Sequence, residues 1–405
     1  MPSKPEKTEM PEAAKTTPRC PHFGDCGGCR LQDLSYEDQL KKKSAELGVL
    51  TAARGWSPDV HVHPSPEPWY YRNKMEFSFQ DVFPAPSEGE DNILLGLKRK
   101  NRWDKVMDLR ECHLFSPDAP KLLAGVHAWA WKERLQPYNL HKHAGFLRHL
   151  LVREGKNTKE RMVMLVTTAG EFPRESFVKA VQNCFPCTTI LRGINPGKAD
   201  VVQTEQIETL FGPGHIHETL LGRRFRVSPH SFLQTNTHGA EFLYGLILRW
   251  LGEVGPKNLL DLYCGAGGIA LSVAHLCTQV MGVEVVAGAV ADAQHNASLN
   301  GVSNVQFLAA KVEEILPGLA AQAAAGIEVD TVIVDPARSG LHPGALAALK
   351  DLAAGHLLYV SCNPKAMCED IGKLSEIYDL VKIEGVDLFP HTDHVEALAL
   401  LKRVF

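Results

Sequence analysis

The sequence predicts an α/β protein in three parts. These are a C-terminal sheet domain of the doubly wound kind, a mostly antiparallel α+β middle domain, and an N-terminal segment organised by cysteines. Three observations predict it. From about residue 225 strand-like runs alternate with helix-length segments, the grammar of a parallel sheet. Between about residues 60 and 220 the runs are short and alternate polar with apolar. Three cysteines fall within ten residues near the start. The divisions read this way are 1–19, 20–59, 60–224 and 225–405.

Composition narrows the class. The chain has 405 residues, 44% hydrophobic and 22% charged, the balance of a globular enzyme with a full-sized core. No apolar run approaches the roughly 18 residues of a membrane span, and the first residues carry no apolar leader. A cytoplasmic monomer with no membrane association is expected. The net charge of −4 announces no nucleic-acid partner, so any such partner must be held by a local patch.

Taken in order, residues 1–19 are Lys-, Glu-, Pro- and Thr-rich and are expected to form a disordered tail. Cys20, Cys26 and Cys29 follow as C-x5-C-x2-C among glycines, a spacing suited to wrapping a metal centre. Cys112 in LRECHLF is the best fourth ligand. Zinc and a [4Fe-4S] cluster both accept four thiolates, so the ligand count leaves both open. Cys184 and Cys187 form a second C-x2-C and are read as structural.

Ser35-Tyr-Glu-Asp38 resembles a capping box opening a helix that stops at Gly55. In the middle domain MEFSFQ, ILLGLKRK, KVMDL, HLLVRE and RMVMLVTT read as strands, and PAPSEGED as a loop. Residues 96–110 hold six basic and two acidic side chains around Trp103, which suits phosphate contact and base stacking.

Seven strands are read in the C-terminal domain: NLLDLY, QVMGVEV, VQFLAA, DTVIVD, HLLYVS, LVKIEGV and EALALLKRVF. No helix fits between the last two, so one must run antiparallel. That closing hairpin resembles the Rossmann-like architecture of class I S-adenosylmethionine (SAM) methyltransferases. Asp261-Leu-Tyr-Cys-Gly265-Ala-Gly267-Gly268 lies at the first strand-to-helix turn, and Glu284 ends the second strand. A dinucleotide would use the same two features, and the hairpin tilts the choice to SAM.

Three further blocks sit at strand ends or entries: Asp335-Pro-Ala-Arg338-Ser-Gly340, Tyr359-Val-Ser-Cys362-Asn-Pro364, and Asp387-Leu-Phe-Pro-His-Thr-Asp-His-Val-Glu396. With the cysteine cluster, and over residues 20–405, these blocks resemble the RNA uracil-C5 methyltransferase family, which includes tRNA uridine-54 and 23S rRNA enzymes. The resemblance implies that Cys362 is the nucleophile and Glu396 the base. It further implies that Gln234, Tyr263, Glu284 and Asp335 contact SAM, and that Cys20, Cys26, Cys29 and Cys112 hold a [4Fe-4S] cluster. Gly268, Lys311 and Ala366 depart from the pattern. No room is expected for the small TRAM barrel that precedes the cluster in some members.

The chemistry accounts for these residue types. Carbon 5 of uracil is a poor nucleophile until a thiolate adds to carbon 6, and a base must then remove the carbon-5 proton. The target base must leave its stack, so a loop uridine is expected. The leading expectation is 23S rRNA, with tRNA uridine 54 as the alternative. A cytosine-C5 methyltransferase is expected to present a Pro-Cys or paired-cysteine motif at the nucleophile position, where only Ser361-Cys362-Asn363-Pro364 appears, and a non-catalytic iron-sulfur RNA-binding protein would not need Cys362 and Glu396.

Overall fold

The computed structural model describes residues 15–57, 59–84, 87, 89–324 and 329–404. The expected tail lies outside these residues up to position 14. Residues 15–19 are tied down, because Thr16 N donates to Asp33 O (2.8 Å) and Lys15 bridges to Leu34. The turn-rich cysteine segment then leads into α1 (Tyr36–Ala52). Ser35 caps it, accepting from Asp38 N and donating to Asp38 Oδ2, which satisfies an otherwise orphaned backbone donor.

The next elements are β1 (Val62–His63), β2 (Lys74–Asp81), β3 (Ile93–Arg99), β4 (Arg102–Asp108), α2 (Ala119–Lys132), β5 (Leu147–Glu154), β6 (Arg161–Thr167), α3 (Arg174–Cys184), β7 (Thr189–Ile194) and β8 (Gln206–Phe211). Part of the expected PAPSEGED loop lies outside the described residues. β2 to β8 form one sheet in the order β4-β3-β2-β5-β6-β7-β8, antiparallel except for the β6–β7 pair. β5 and β6 are buried almost throughout because both faces are covered. One face packs α2 and α3, and the other contributes Leu151, Met162 and Met164 to the core of the C-terminal half.

A hairpin of β9 (Ile216–Leu220) and β10 (Arg223–Val227) precedes α4 (Thr237–Val254). There follow β11 (Asn258–Leu262), α5 (Gly268–Val273), β12 (Gln279–Glu284), α6 (Ala287–Leu299), β13 (Val305–Ala309), α7 (Val312–Ala324), β14 (Thr331–Val334), α8 (Pro343–Leu352), β15 (His356–Ser361), α9 (Pro364–Leu374), β16 (Tyr378–Val386) and β17 (Glu396–Arg403). The C-terminal sheet runs β1-β16-β17-β15-β14-β11-β12-β13, and β17 is antiparallel to both its neighbours.

This sheet has eight strands among the described residues, where seven were expected. Val62 and His63 add a short parallel edge beside Gly385 and Val386. α1 also joins this half. Its Leu47 lies in the core formed by α8, α9 and the sheet, so the helix after the cysteines is anchored to the C-terminal domain.

Candidate active site and thiol cavity

The carboxyl ends of β11, β12, β14 and β15 open on one crevice, where ligands bind in sheets of this kind. The β11–α5 turn forms its first wall. Tyr263, Gly265 and Gly267 all have positive φ (64°, 54° and 84°), which bends the chain sharply before α5. Asp261 is buried beneath the turn, where its Oδ2 accepts from Ala270 N (3.0 Å) and its Oδ1 has no partner among the described residues. Burial and the nearby Asp335 push its carboxyl up to about 8.

Glu284 accepts from Gly265 N (3.2 Å) and Val286 N (2.8 Å), which fixes its carboxylate at the rim of the crevice. Beside it Val285 is 58% exposed, an apolar surface at a polar edge. Gln234, Tyr263 and Asp335 line one narrow cavity with Tyr244, Asp261 and Gly268. The crevice therefore brings three of the four expected cofactor residues to one cavity and sets Glu284 on its rim.

The departures also find places. A Cβ on Gly268 would stand 2.6 Å from the Tyr244 hydroxyl, so the glycine makes room for that ring. A Cβ on Gly340 would lie 3.2 Å from Ala366 Cβ, where a larger side chain would crowd the turn. Lys311 is exposed and pairs with Glu314 (2.8 Å), turned away from the cavity lining.

Cys362 follows β15, half-buried, just before the N-terminus of α9. Ser361 pairs with Ala397 across β15–β17, so the next step along the ladder sets Glu396 beside Cys362. Glu396 is 1% exposed, and its Oε1 has no partner among the described residues. Burial, and then Asp335, raise its carboxyl well above the ordinary range. Burial likewise raises Asp335 to about 7.

Cys362 is pushed up to about 11, first by burial and then by Glu396 and Asp335, while Arg338 works in the opposite direction. Arg338 is held near the site by His394 Nδ1 (3.2 Å), and its carbonyl accepts from Asn363 Nδ2 (2.7 Å). Sequence reasoning quoted Arg338 within its motif and assigned it no role. Tyr244 was missed altogether, because only its packing against Gly268 reveals it.

Cys20, Cys26, Cys29 and Cys112 line a second cavity of about 440 Å³, together with Arg72, His22 and Gln32. Gln32 Oε1 accepts from Cys20 N (3.1 Å). Burial raises all four thiols, and Cys29 reaches about 12. Among the described residues no three His, Cys, Asp or Glu side chains stand close enough to hold a metal ion. Cys184 and Cys187 do not line this cavity; Cys184 ends α3 with its Sγ directed at Ala180 O (3.1 Å), and Cys187 follows three residues later.

Of the six basic side chains in 96–110, Lys98 pairs with Asp200, Arg99 with Asp25 and Arg102 with Asp104. Trp103 is 71% exposed on β4, and Lys105 lies over the exposed Phe83 ring (5.3 Å). No helix among the described residues is long and apolar enough to cross a membrane.

Comparison with known proteins agrees with this geometry. The family model described as tRNA (Uracil-5-)-methyltransferase matches residues 215–404. An uncharacterized RNA methyltransferase of Clostridium acetobutylicum is 37% identical over 98% of this chain and 86% of its own. Another, of Caldanaerobacter subterraneus, is 35% identical over 95% of this chain and 84% of its own. The crystal structure of Pyrococcus abyssi tRNA (uracil-54, C5)-methyltransferase with S-adenosyl-L-homocysteine is 31% identical. It covers 93% of this chain and 86% of its own, with a TM-score of 0.75. On this evidence the chain belongs to the RNA (uracil-C5)-methyltransferase family and is a SAM-dependent enzyme of that class.

Proposed function

We propose that the protein methylates carbon 5 of a uridine in 23S rRNA through a covalent adduct on Cys362, with Glu396 as the base that resolves it. The observation that carries this reading is the β15–β17 register, which stations a buried carboxyl beside a half-buried thiol at the mouth of the crevice. Arg338 favours the thiolate, and the thiol proton leaves to solvent. The sulfur then bonds to carbon 6, and the electron pair of the 5,6 double bond moves into the carbonyl at carbon 4.

Bound in the crevice, SAM supplies the electrophilic methyl group, which carbon 5 takes up while the sulfonium sulfur keeps the bonding pair. Glu396 in its carboxylate form removes the carbon-5 proton. The carbon–sulfur bond then breaks, restoring the double bond and the thiolate. Asp335 raises the proton affinity of Glu396, which favours that abstraction. Gln234, Tyr263, Glu284 and Asp335 would hold the cofactor, with Glu284 suited to ribose hydroxyls and Val285 to an adenine face.

The four thiols would hold a [4Fe-4S] cluster. Burial makes their thiolates costly, and a cationic core supplies the compensating charge. The four thiols line one cavity of about 440 Å³, room enough for a multi-iron core, with zinc as the alternative occupant of four thiolates. Its role is structural, because methyl transfer consumes no electron. Trp103, Phe83 and Lys105 offer exposed rings and a cation for an unstacked RNA loop. A second reading, tRNA uridine 54, is favoured by the archaeal relative of known structure.

The test is Glu396→Gln incubated with RNA and labelled SAM. A protein–RNA adduct that carries the methyl, survives denaturing electrophoresis and vanishes in the double variant with Cys362→Ala is expected. Normal turnover without adduct would overturn the mechanism. Mapping 5-methyluridine lost from rRNA and tRNA in a deletion strain decides between the two RNA targets.

A further inference from the structure

Glu396 is the first residue of β17, and the loop that delivers it, residues 387–395, is gripped chiefly by the N-terminal part of the chain, with Asn236 Nδ2 donating to Leu388 O (3.0 Å) and Arg338 reaching His394 from elsewhere. Asp387 Oδ1 takes a 2.7 Å bond from Lys43 Nζ, and both side chains are buried. Lys43 also donates to Phe389 O (3.2 Å), and Tyr71 OH donates to Pro390 O (3.1 Å).

His391 is the centre of this grip. Its carbonyl accepts from Arg30 N (2.8 Å) and Leu31 N (3.1 Å), the two residues that follow Cys29. Its own N–H donates to Gln39 Oε1 (2.9 Å), while Gln39 Nε2 lies 3.2 Å from its Nδ1. Its ring stacks on Trp69 at 3.6 Å between centroids. The residue is held at φ 66°, a left-handed conformation that a β-carbon disfavours and that these bonds impose. Arg30 pairs with Asp393 (3.3 Å), closer still to Glu396.

We propose that the cysteine segment and α1 act as a positioning clamp for the catalytic base, with the Arg30–Leu31–Gln39 grip on His391 setting where Glu396 points. Gln39 and His391 are positioning residues, since neither lines the crevice or touches Cys362. The proposal rests on the reading of Glu396 as the base. It deepens that reading by making one step, elimination of the adduct, depend on a segment more than 350 positions away in sequence. Three of the four cavity thiols, Cys20, Cys26 and Cys29, directly precede Arg30 and Leu31, so order in the thiol segment is transmitted to the base through two backbone donors.

A clamp and a mere anchor predict different kinetics. Loss of an anchor destabilises the whole enzyme and slows every step alike. Loss of a clamp leaves SAM binding and single-turnover methyl transfer intact but delays release, because only release needs Glu396 in register. Gln39→Leu removes both side-chain bonds to His391. It is expected to cut steady-state turnover by about 10- to 100-fold, the scale of an ångström-sized misplacement, while the methylated adduct accumulates. Trp69→Leu, outside α1, should act in the same direction and more weakly, and it keeps the proposal testable if Gln39→Leu does not fold.

Glu396→Gln is the reference in the same assay. If it traps the adduct while folded Gln39→Leu and Trp69→Leu both release product at the wild-type rate, the clamp is overturned and the base assignment stands. If Glu396→Gln itself turns over normally, both are overturned.

Discussion

The catalytic crevice and the thiol cavity both concentrate buried ionisable groups, and they differ in what holds them and in what burial does to them. The crevice residues stand at the ends of strands, and their neighbours are paired along a ladder. The thiols sit on turns and on a short approach to α2, positioned by hydrogen bonds such as Gln32 to Cys20 N. Burial raises the crevice carboxyls into a range where they exchange protons near neutrality, Asp335 to about 7 and Asp261 to about 8. It raises the thiols away from neutrality, Cys29 to about 12. The first arrangement is suited to moving protons. The second keeps its thiols neutral, and a bound cation would be needed to draw them into the thiolate form.

The sharpest way to break this comparison is to remove the crevice thiol. Cys362→Ala should lower methylation by about 10⁴-fold or more, on the scale of lost nucleophiles elsewhere, and leave SAM affinity unchanged by calorimetry. The residue lines neither the cofactor cavity nor its turn, so a parallel loss of SAM binding would contradict the division of labour.

On the other side, Cys29→Ser should abolish the broad visible absorbance of a thiolate-bound iron-sulfur centre. It should also lower the thermal transition, by about 2–4 °C for each kcal/mol of binding energy lost in a domain of this size. Purified wild-type protein that is colourless, holds stoichiometric zinc and melts like Cys29→Ser would count against the cluster.

A smaller effect is expected inside the cofactor wall. Gly268→Ala places a methyl 2.6 Å from the Tyr244 hydroxyl and should cost about 1–3 kcal/mol by overpacking. Tyr244→Phe removes the clashing oxygen, so the double variant should recover part of the loss, a coupling that a thermal-melt mutant cycle measures. Strict additivity would show that the ring and the glycine are independent.

The contrast between regions also explains what was legible in sequence. Seven of the eight strands of the C-terminal sheet announced themselves because central strands such as Thr331–Val334 are buried on both faces and read as unbroken apolar runs. β7 was hidden, because Arg192 interrupts the run. The guanidinium is buried and satisfied by Thr167 Oγ1 and the carbonyls of Thr168 and Gly170, a solution invisible from the strand alone. β8 is an edge strand with exposed positions, and β1 is two residues long.

Cys362 and Glu396 could be singled out from local motifs, but not the grip of Gln39 on His391, since nothing local marks a buried glutamine 352 positions away as a partner. Gly268 stands out in sequence only as a departure from the family pattern, and its reason, the Tyr244 ring that fills the space, is visible only in the fold. Motifs carry what a strand end presents. They do not carry what reaches that strand end from elsewhere in the chain.

The least intrusive probe of the comparison is pH. The folded value of Asp335, about 7, lies above its ordinary 3.8, so the protonated form is the one the fold accommodates. Its contribution to stability is fully present below about pH 4 and is lost as pH rises through 7. Glu396 is shifted in the same direction, and Asp261 follows at about 8, whereas burial raises the metal-free thiols of the cavity out of this window. Asp335→Asn removes one titrating group and relieves the other two, which Asp335 raises. The melting temperature of the variant relative to wild type should therefore become more favourable between pH 5 and pH 8, by roughly 2–6 °C for about 1–2 kcal/mol. Cys29→Ser, compared in the same way with wild type stripped of metal, should show an offset that is flat across that range. A flat offset for Asp335→Asn as well would mean that the crevice carboxyls are not held in their protonated forms by burial, and the contrast between the two sites would reduce to one of location.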